Sequence, residues 1–187
     1  LRQGPEVERH HRPVSAGQGR LAHTFDQLRG RNTPGLVTYV TAGDPDLART
    51  GDILRSLDRA GADVLEVGVP FSDPLADGPV IQRATERALA SGTTLSRVLD
   101  LLERLRPELH APFVVFSYAN PILRLGAERF ADRARAAGVD GVLVLDLPIE
   151  EADAFRNMLA ARRIDTILLL SPTTTDERLR KAASLGS

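Results

Sequence analysis

The chain reads as an α/β protein, a TIM (β/α)8 barrel that is incomplete, with about five β/α units present. Three observations predict this. From Gly35 onward one unit recurs: a buried strand, a loop carrying proline and an acid, then an amphipathic helix. The strands are near-continuous apolar runs, as expected when both faces are covered. Acids and prolines follow several strands, which in a barrel gathers them on one catalytic face. An open doubly wound sheet is the alternative, but no Gly-x-Gly-x-x-Gly follows the first strand, so the barrel is favoured.

Residues 1–17 hold Gly, Pro, Arg and the pair His10-His11 without hydrophobic periodicity, which predicts a disordered leader before a partial barrel domain over 18–187. Two adjacent histidines with no spaced partner are a weak metal signal. Leu21, Phe25 and Leu28 then mark a short amphipathic helix closed by Gly30. The first strand is expected over 36–41, its loop at Ala42-Gly-Asp-Pro45, and the next helix buries Leu47, Ile53, Leu54, Leu57 and Ala60. Strand two covers 64–69. Two helical stretches follow, one with Ile81, Ala84, Ala88 and Leu89, the other with Leu95, Val98, Leu99, Leu102 and Leu105. Strand three covers 113–117 and leads into a loop, Tyr118-Ala-Asn-Pro121. Phe130, Ala134 and Ala137 mark a helix before strand four, 141–145. Ala152, Phe155, Met158 and Leu159 mark another before strand five, 166–170. The last helix opens with a capping box, Thr174 and Glu177, and ends at Gly186. Ala60-Gly-Ala-Asp63 and Ala137-Gly-Val-Asp140 repeat before strands two and four, with Gly ending the helix and Asp turning the chain.

At 187 residues the chain can build one sizeable core. Its 24 basic and 25 acidic residues give a net charge of −1, which recommends neither nucleic acid nor an anionic membrane as partner. The absence of cysteine excludes disulfides, thiolate metal sites and a cysteine nucleophile. No apolar run approaches the ~20 residues needed to span a bilayer, so a cytoplasmic location is expected. The start at Leu1 and the stop at Ser187 suggest a piece of a longer protein. A whole barrel takes roughly 250 residues, so three strands would be absent and two parallel edges open.

Chemistry concentrates in Val64–Gly78. Glu66 stands inside an apolar strand, where an unpaired carboxylate costs several kcal/mol by rough transfer estimates and needs a partner or a task. Alternation along the strand groups Val64, Glu66 and Gly68 on one side, pointing into the barrel, with space beside the carboxylate where Gly68 lacks a side chain. Apolar surroundings raise a carboxyl pKa and suit a general acid/base. The competing reading is a structural Glu bonded to the hydroxyl of Tyr39 or Thr41. Asp77, in Pro74-Leu-Ala-Asp-Gly-Pro79, is a turn aspartate or a second rim carboxylate that divides roles with Glu66. Asp73, Asp146 and Asp44 read as loop-shaping groups, and His23 and His110 as surface residues. No Ser-His-Asp arrangement, metal-ligand cluster or P-loop is present.

The run Leu65-Glu-Val-Gly-Val-Pro-Phe-Ser-Asp-Pro-Leu-Ala-Asp-Gly-Pro79 closely resembles the signature of the tryptophan synthase alpha chain family. So do Tyr39-Val-Thr-Ala-Gly-Asp-Pro45, Tyr118-Ala-Asn-Pro121, Asp146-Leu-Pro148 with Glu150-Glu151, and Ser171-Pro-Thr-Thr-Thr175, in the family's order and spacing. The resemblance implies a lyase of L-tryptophan biosynthesis that cleaves indole-3-glycerol phosphate to indole and glyceraldehyde 3-phosphate. It implies a partner beta chain in an alpha2-beta2 tetramer. Pyridoxal phosphate would belong to that beta chain, with no cofactor or metal held here. By the same resemblance Glu66 is the general acid/base, and Asp77 holds the indole N–H. Tyr39, Ala76, Phe116, Leu145 and Leu170 line the pocket, and Asp73, Pro74 and Asn120 face the beta chain. The family's phosphate-binding loops follow later strands, so weak turnover is expected of this length of chain. A non-catalytic subunit that binds the beta chain, or a lyase that needs no partner, are the other readings.

Overall fold

The computed structural model describes residues 19–148 and 151–185. The leader expected over 1–17, together with Glu150 and Gly186, lies outside the described residues.

Five strands, β1 (Val37–Thr41), β2 (Val64–Gly68), β3 (Phe113–Ser117), β4 (Gly141–Val144) and β5 (Asp165–Ile167), form one sheet in the order β1-β2-β3-β4-β5. Every pairing is parallel. A doubly wound sheet reverses its strand order at a switch point, whereas a barrel adds each strand beside the last. The uninterrupted order is therefore that of a partial barrel. Eight described helices accompany the strands: α1 (Arg20–Arg31), α2 (Leu47–Ala60), α3 (Pro79–Ala90), α4 (Leu95–Leu105), α5 (Ala119–Leu125), α6 (Ala127–Ala136), α7 (Ala152–Ala160) and α8 (Asp176–Leu185). None of the described helices is long and apolar enough to cross a membrane.

Period-two alternation sorts the strand residues into two cores. Leu65, Val67, Phe113, Val115 and Val142 face the helices and pack with Leu54, Leu99, Leu102, Phe130 and Leu159. On the opposite face Val64, Val114 and Leu143 pack with Leu21, supported by Phe116, Leu145 and Ile167. Leu21 comes from α1 and reaches Gly141, where a Cβ would lie only 2.7 Å from its Cδ1. Helix α1 therefore seals the barrel interior from the end where the strands begin. Arg20 secures it, donating to the His110 carbonyl and lying 3.8 Å from the Asp140 carboxylate.

The repeated Gly-x-Asp stretches act as the spacing suggests and also reach further. Gly61 and Gly138 take positive φ, 104° and 68°, at the ends of their helices. Asp63 then accepts the Leu36 N–H at 2.8 Å, and Asp140 accepts the Phe113 N–H at 2.9 Å. Each aspartate thus ties the start of its own strand to the start of the preceding one.

Five expectations need correction. Gly30 does not close α1, which runs to Arg31 and ends on Asn32 at φ 51°. Tyr118-Ala-Asn-Pro121 is not a loop, because α5 begins at Ala119. Pro121 stands in its first turn, where backbone N–H groups have no helical acceptor, and Asp146 Oδ1 takes the Ala119 N–H at 2.7 Å. Strand five is shorter than expected, ending at Ile167 rather than Leu170, since β4 pairs with it only over Asp165–Ile167. Thr174 does not cap α8: its hydroxyl accepts the Ser171 N–H at 3.0 Å, while Thr175 stands nearest the Arg178 N–H. Strands one, two and four are also each one residue shorter than expected, losing Leu36, Val69 and Leu145.

Candidate active site

The parallel register sets Tyr39 beside Glu66, Glu66 beside Val114, and Val114 beside Gly141. One row further along come Thr41, Gly68, Phe116 and Leu143. These rows share the inner face, so Glu66 points into the barrel, as alternation predicts. Its neighbours Leu65 and Val67 are fully buried against the helices. The Glu66 carboxylate is half-buried and has no hydrogen-bond donor among the described residues. Burial alone pushes its pKa above the usual carboxylate range.

Neither hydroxyl considered as a partner for Glu66 is hydrogen-bonded to it. Burial raises the Tyr39 pKa, the neighbouring Thr41 side chain offsets part of that rise, and the charges of Asp77 and Glu66 raise it further. Nor is there open space beside Gly68. A Cβ there would lie 2.1 Å from the Tyr39 hydroxyl oxygen and 2.6 Å from Cζ. Strand side chains lean along the strand direction, so Tyr39, paired with Glu66, comes to lie over the glycine two residues on. Its ring meets Phe116 edge-on at 5.4 Å between centroids.

Asp77 sits on the loop that leaves β2, and three contacts fix that loop. Its own N–H reaches the Pro74 carbonyl at 3.3 Å. Gln82, on the first turn of α3, donates to the Asp77 carbonyl at 2.9 Å. Just past β3, Tyr118 accepts the Ala76 N–H on its hydroxyl at 3.1 Å. Burial raises the Asp77 pKa, and the nearby Tyr118 hydroxyl pulls it back. Sequence reasoning missed Tyr118. The only local signal was a hydroxyl at the end of a strand adjacent to β2, and its target lies 42 positions away at Ala76.

The remaining expected site residues fall in two groups. Ala76 presents its N–H to Tyr118, and Phe116 flanks Tyr39. Leu145 and Leu170 are further along the rim, lining a cavity of about 430 Å³ with Ser171, Thr173 and Thr174. Asp73 and Pro74 line a separate cleft of about 330 Å³ with Phe71, Leu75 and Gln82. Asn120 is exposed on the first turn of α5. Leu75 is 95% exposed and Val80 70%, so the loop and the start of α3 display apolar surface outward. Among the described residues no group of three His, Cys, Asp or Glu side chains is placed to hold a metal ion.

Chemically, the rim offers an inner-face carboxyl with no donor among the described residues and a second carboxyl on the loop beside it. Aromatic and aliphatic side chains stand around them.

Comparison with known proteins gives this arrangement a lineage. A family model described as tryptophan synthase alpha chain matches residues 25–187. The tryptophan synthase alpha chain of Pelobacter propionicus is 52% identical over 167 residues, 89% of this chain and 62% of the relative. That of Gloeobacter violaceus is 52% identical over 168 residues, 90% of this chain and 61% of the relative. The chain thus spans about three fifths of the length of these curated relatives. Among solved structures, tryptophan synthase subunit alpha from Legionella pneumophila superposes with a TM-score of 0.88 at 40% identity, covering 91% of this chain and 65% of that one. A Pyrococcus furiosus structure, described as the tryptophan synthase a2b2 complex, gives 0.79 at 40% identity, covering 82% and 63%. Sequence match, strand order and superposition agree, and the chain belongs to the tryptophan synthase alpha chain family.

Proposed function

We propose that this chain carries the proton chemistry of a lyase that cleaves indole-3-glycerol phosphate to indole and glyceraldehyde 3-phosphate. The observation that carries the reading is the Glu66 carboxylate. It is half-buried on the inner face of β2, has no donor among the described residues, and leads into the loop that holds Asp77. Burial favours its protonated form, which can deliver a proton to the indole ring carbon bearing the side chain. Positive charge then develops at the ring nitrogen, where the ionised Asp77 accepts the N–H and stabilises it. The Glu66 carboxylate next takes the proton of the side-chain hydroxyl. The carbon–carbon bond breaks, its electrons return to the ring, and Glu66 ends protonated as it began. Tyr39, Ala76, Phe116, Leu145 and Leu170 serve as the pocket wall around the ring.

The reading extends to a partner. Asp73, Pro74 and Asn120, with the exposed Leu75, present the surface that would meet a beta chain in an alpha2-beta2 assembly, and pyridoxal phosphate is assigned to that beta chain. The setting is a cytoplasmic biosynthetic enzyme. Replacing Glu66 with Gln in the active enzyme tests the core of the proposal. Cleavage is expected to fall by about 10²–10⁴-fold with the fold unchanged by circular dichroism. Retained cleavage would remove Glu66 from the mechanism.

A further inference from the structure

The turn that carries Asp77 has little burial to hold it. Leu75, at its tip, is 95% exposed, and Gly78, from which α3 starts, offers no side-chain cap. Hydrogen bonds therefore set where Asp77 stands on the rim. One is internal: the Asp77 N–H reaches the Pro74 carbonyl at 3.3 Å and closes a four-residue turn over 74–77. Another pins the tip, where the Ala76 N–H donates to the Tyr118 hydroxyl at 3.1 Å. The base of the turn is held by a single side chain. Gln82 Nε2 donates to the Asp77 carbonyl at 2.9 Å and to the Pro74 carbonyl at 3.4 Å. The amide nitrogen carries two protons, one for each end of the turn. Gln82 itself stands on fixed ground. Helix α3 buries Ala84, Thr85 and Ala88, and its Arg87 grips Asp44, in the loop after β1, through two contacts of 2.7 Å.

We propose that Gln82 is a positioning residue for Asp77: its side-chain amide, carried on α3, clasps both ends of the 74–77 turn and so fixes the direction in which the Asp77 side chain leaves the backbone. This rests on the role proposed above for Asp77 and adds what keeps that acid in place. The shorter of the two bonds goes to the carbonyl of Asp77 itself, so the peptide that follows Asp77 cannot rotate without breaking it. A displacement of about 1 Å at a reacting group can cost about 10²-fold in rate. The cost belongs to kcat, because the task proposed for Asp77 is to meet charge that develops only as the carbon–carbon bond breaks. Gln82 acts through the backbone of the turn and carries no proton of the reaction.

The test compares two substitutions of nearly the same shape, Gln82→Met and Gln82→Glu, neither of which can donate to the two carbonyls at neutral pH. In the chain itself, amide hydrogen exchange at Ala76 and Asp77 should quicken by about 10-fold in both variants, the weight of a lost hydrogen bond. Exchange at the buried Val67 of β2 and Ala88 of α3 should stay as it was. In the active enzyme kcat for indole-3-glycerol phosphate should fall by roughly 10- to 100-fold with KM within about twofold of the native value. Unchanged exchange at Ala76 and Asp77 would overturn the proposal, and so would quicker exchange with undiminished kcat. Loss of protection at Val67 and Ala88 as well would mark a residue that merely supports the fold, and overturns it equally. If one variant does not fold, the other decides. Exchange is read without any turnover, so a failure of the clasp appears there, whereas a failure of the assigned reaction appears in Glu66→Gln.

Discussion

Gly68→Ala probes how tightly the site is packed, and its consequence can be worked from distances. The added methyl would lie 2.1, 2.6 and 2.8 Å from the hydroxyl oxygen, Cζ and Cε2 of Tyr39. Comfortable carbon contacts begin at about 3.5 Å, so the ring must retreat by roughly 1 Å or more. Tyr39 is 36% exposed, which gives it an exit without moving β2. Leaving forfeits the edge contact with Phe116, worth about 0.5–1.5 kcal/mol, and exposes apolar ring surface, worth a further ~1 kcal/mol. The alanine returns about 0.4–1 kcal/mol by restricting the unfolded chain, because Gly68 does not adopt positive φ. A net destabilisation of about 1–2 kcal/mol is expected in urea unfolding. Tyrosine emission can report the displacement directly, since the chain has two tyrosines and no tryptophan. The decisive comparison is a double-mutant cycle with Tyr39→Ala, in which Gly68→Ala should become nearly neutral. Equal destabilisation in both backgrounds would show that the ring does not occupy the space above Gly68.

Glu66→Gln should stabilise the protein at neutral pH by about 0.5–1 kcal/mol, because it removes a half-buried charge that has no donor among the described residues; thermal unfolding measures this. The same group sets a pH dependence. Its pKa is raised in the folded state, so the unfolded chain ionises first. Stability should therefore fall as pH rises from the ordinary carboxylate range through the folded-state value, and Glu66→Gln should flatten that slope in urea titrations. Asp140→Ala removes the acceptor of the Phe113 N–H and a charge 3.6 Å from Arg106, and should cost about 3–5 kcal/mol, with faster amide exchange at Phe113. Leu75→Asp should leave stability within about 0.5 kcal/mol, since the side chain is 95% exposed, but should weaken beta-chain binding in a pull-down titration.

How much of this was legible depends on how far apart in sequence the deciding residues stand. The inward aim of Glu66 follows from alternation within five residues, and the five strands follow from apolar runs bounded by turns. The fate of the space beside Gly68 could not be read locally. It depends on the pairing of Tyr39 with Glu66 across 27 positions and on the lean of a ring along its strand. The Tyr118–Ala76 contact is non-local in the same way. Helix α5 was hidden for a different reason: Asn120-Pro121 is a turn signal, yet proline is equally at home in a helix's first turn. The capping residue of α8 was displaced by one position because Thr173, Thr174 and Thr175 are chemically alike. Only the hydroxyl bonds to Ser171 distinguish them.

Asp63 and Asp140 have a consequence at the other end of the sheet. Each latches two consecutive strands at or just before their first residues, β1 to β2 and β3 to β4. Between these pairs Asp58, near the end of α2, accepts the His110 and Ala111 N–H groups at the entry to β3. Three aspartates thus set the strand starts level in sequence, so the rim at the far ends of the strands inherits its alignment from carboxylates at the opposite end of the sheet.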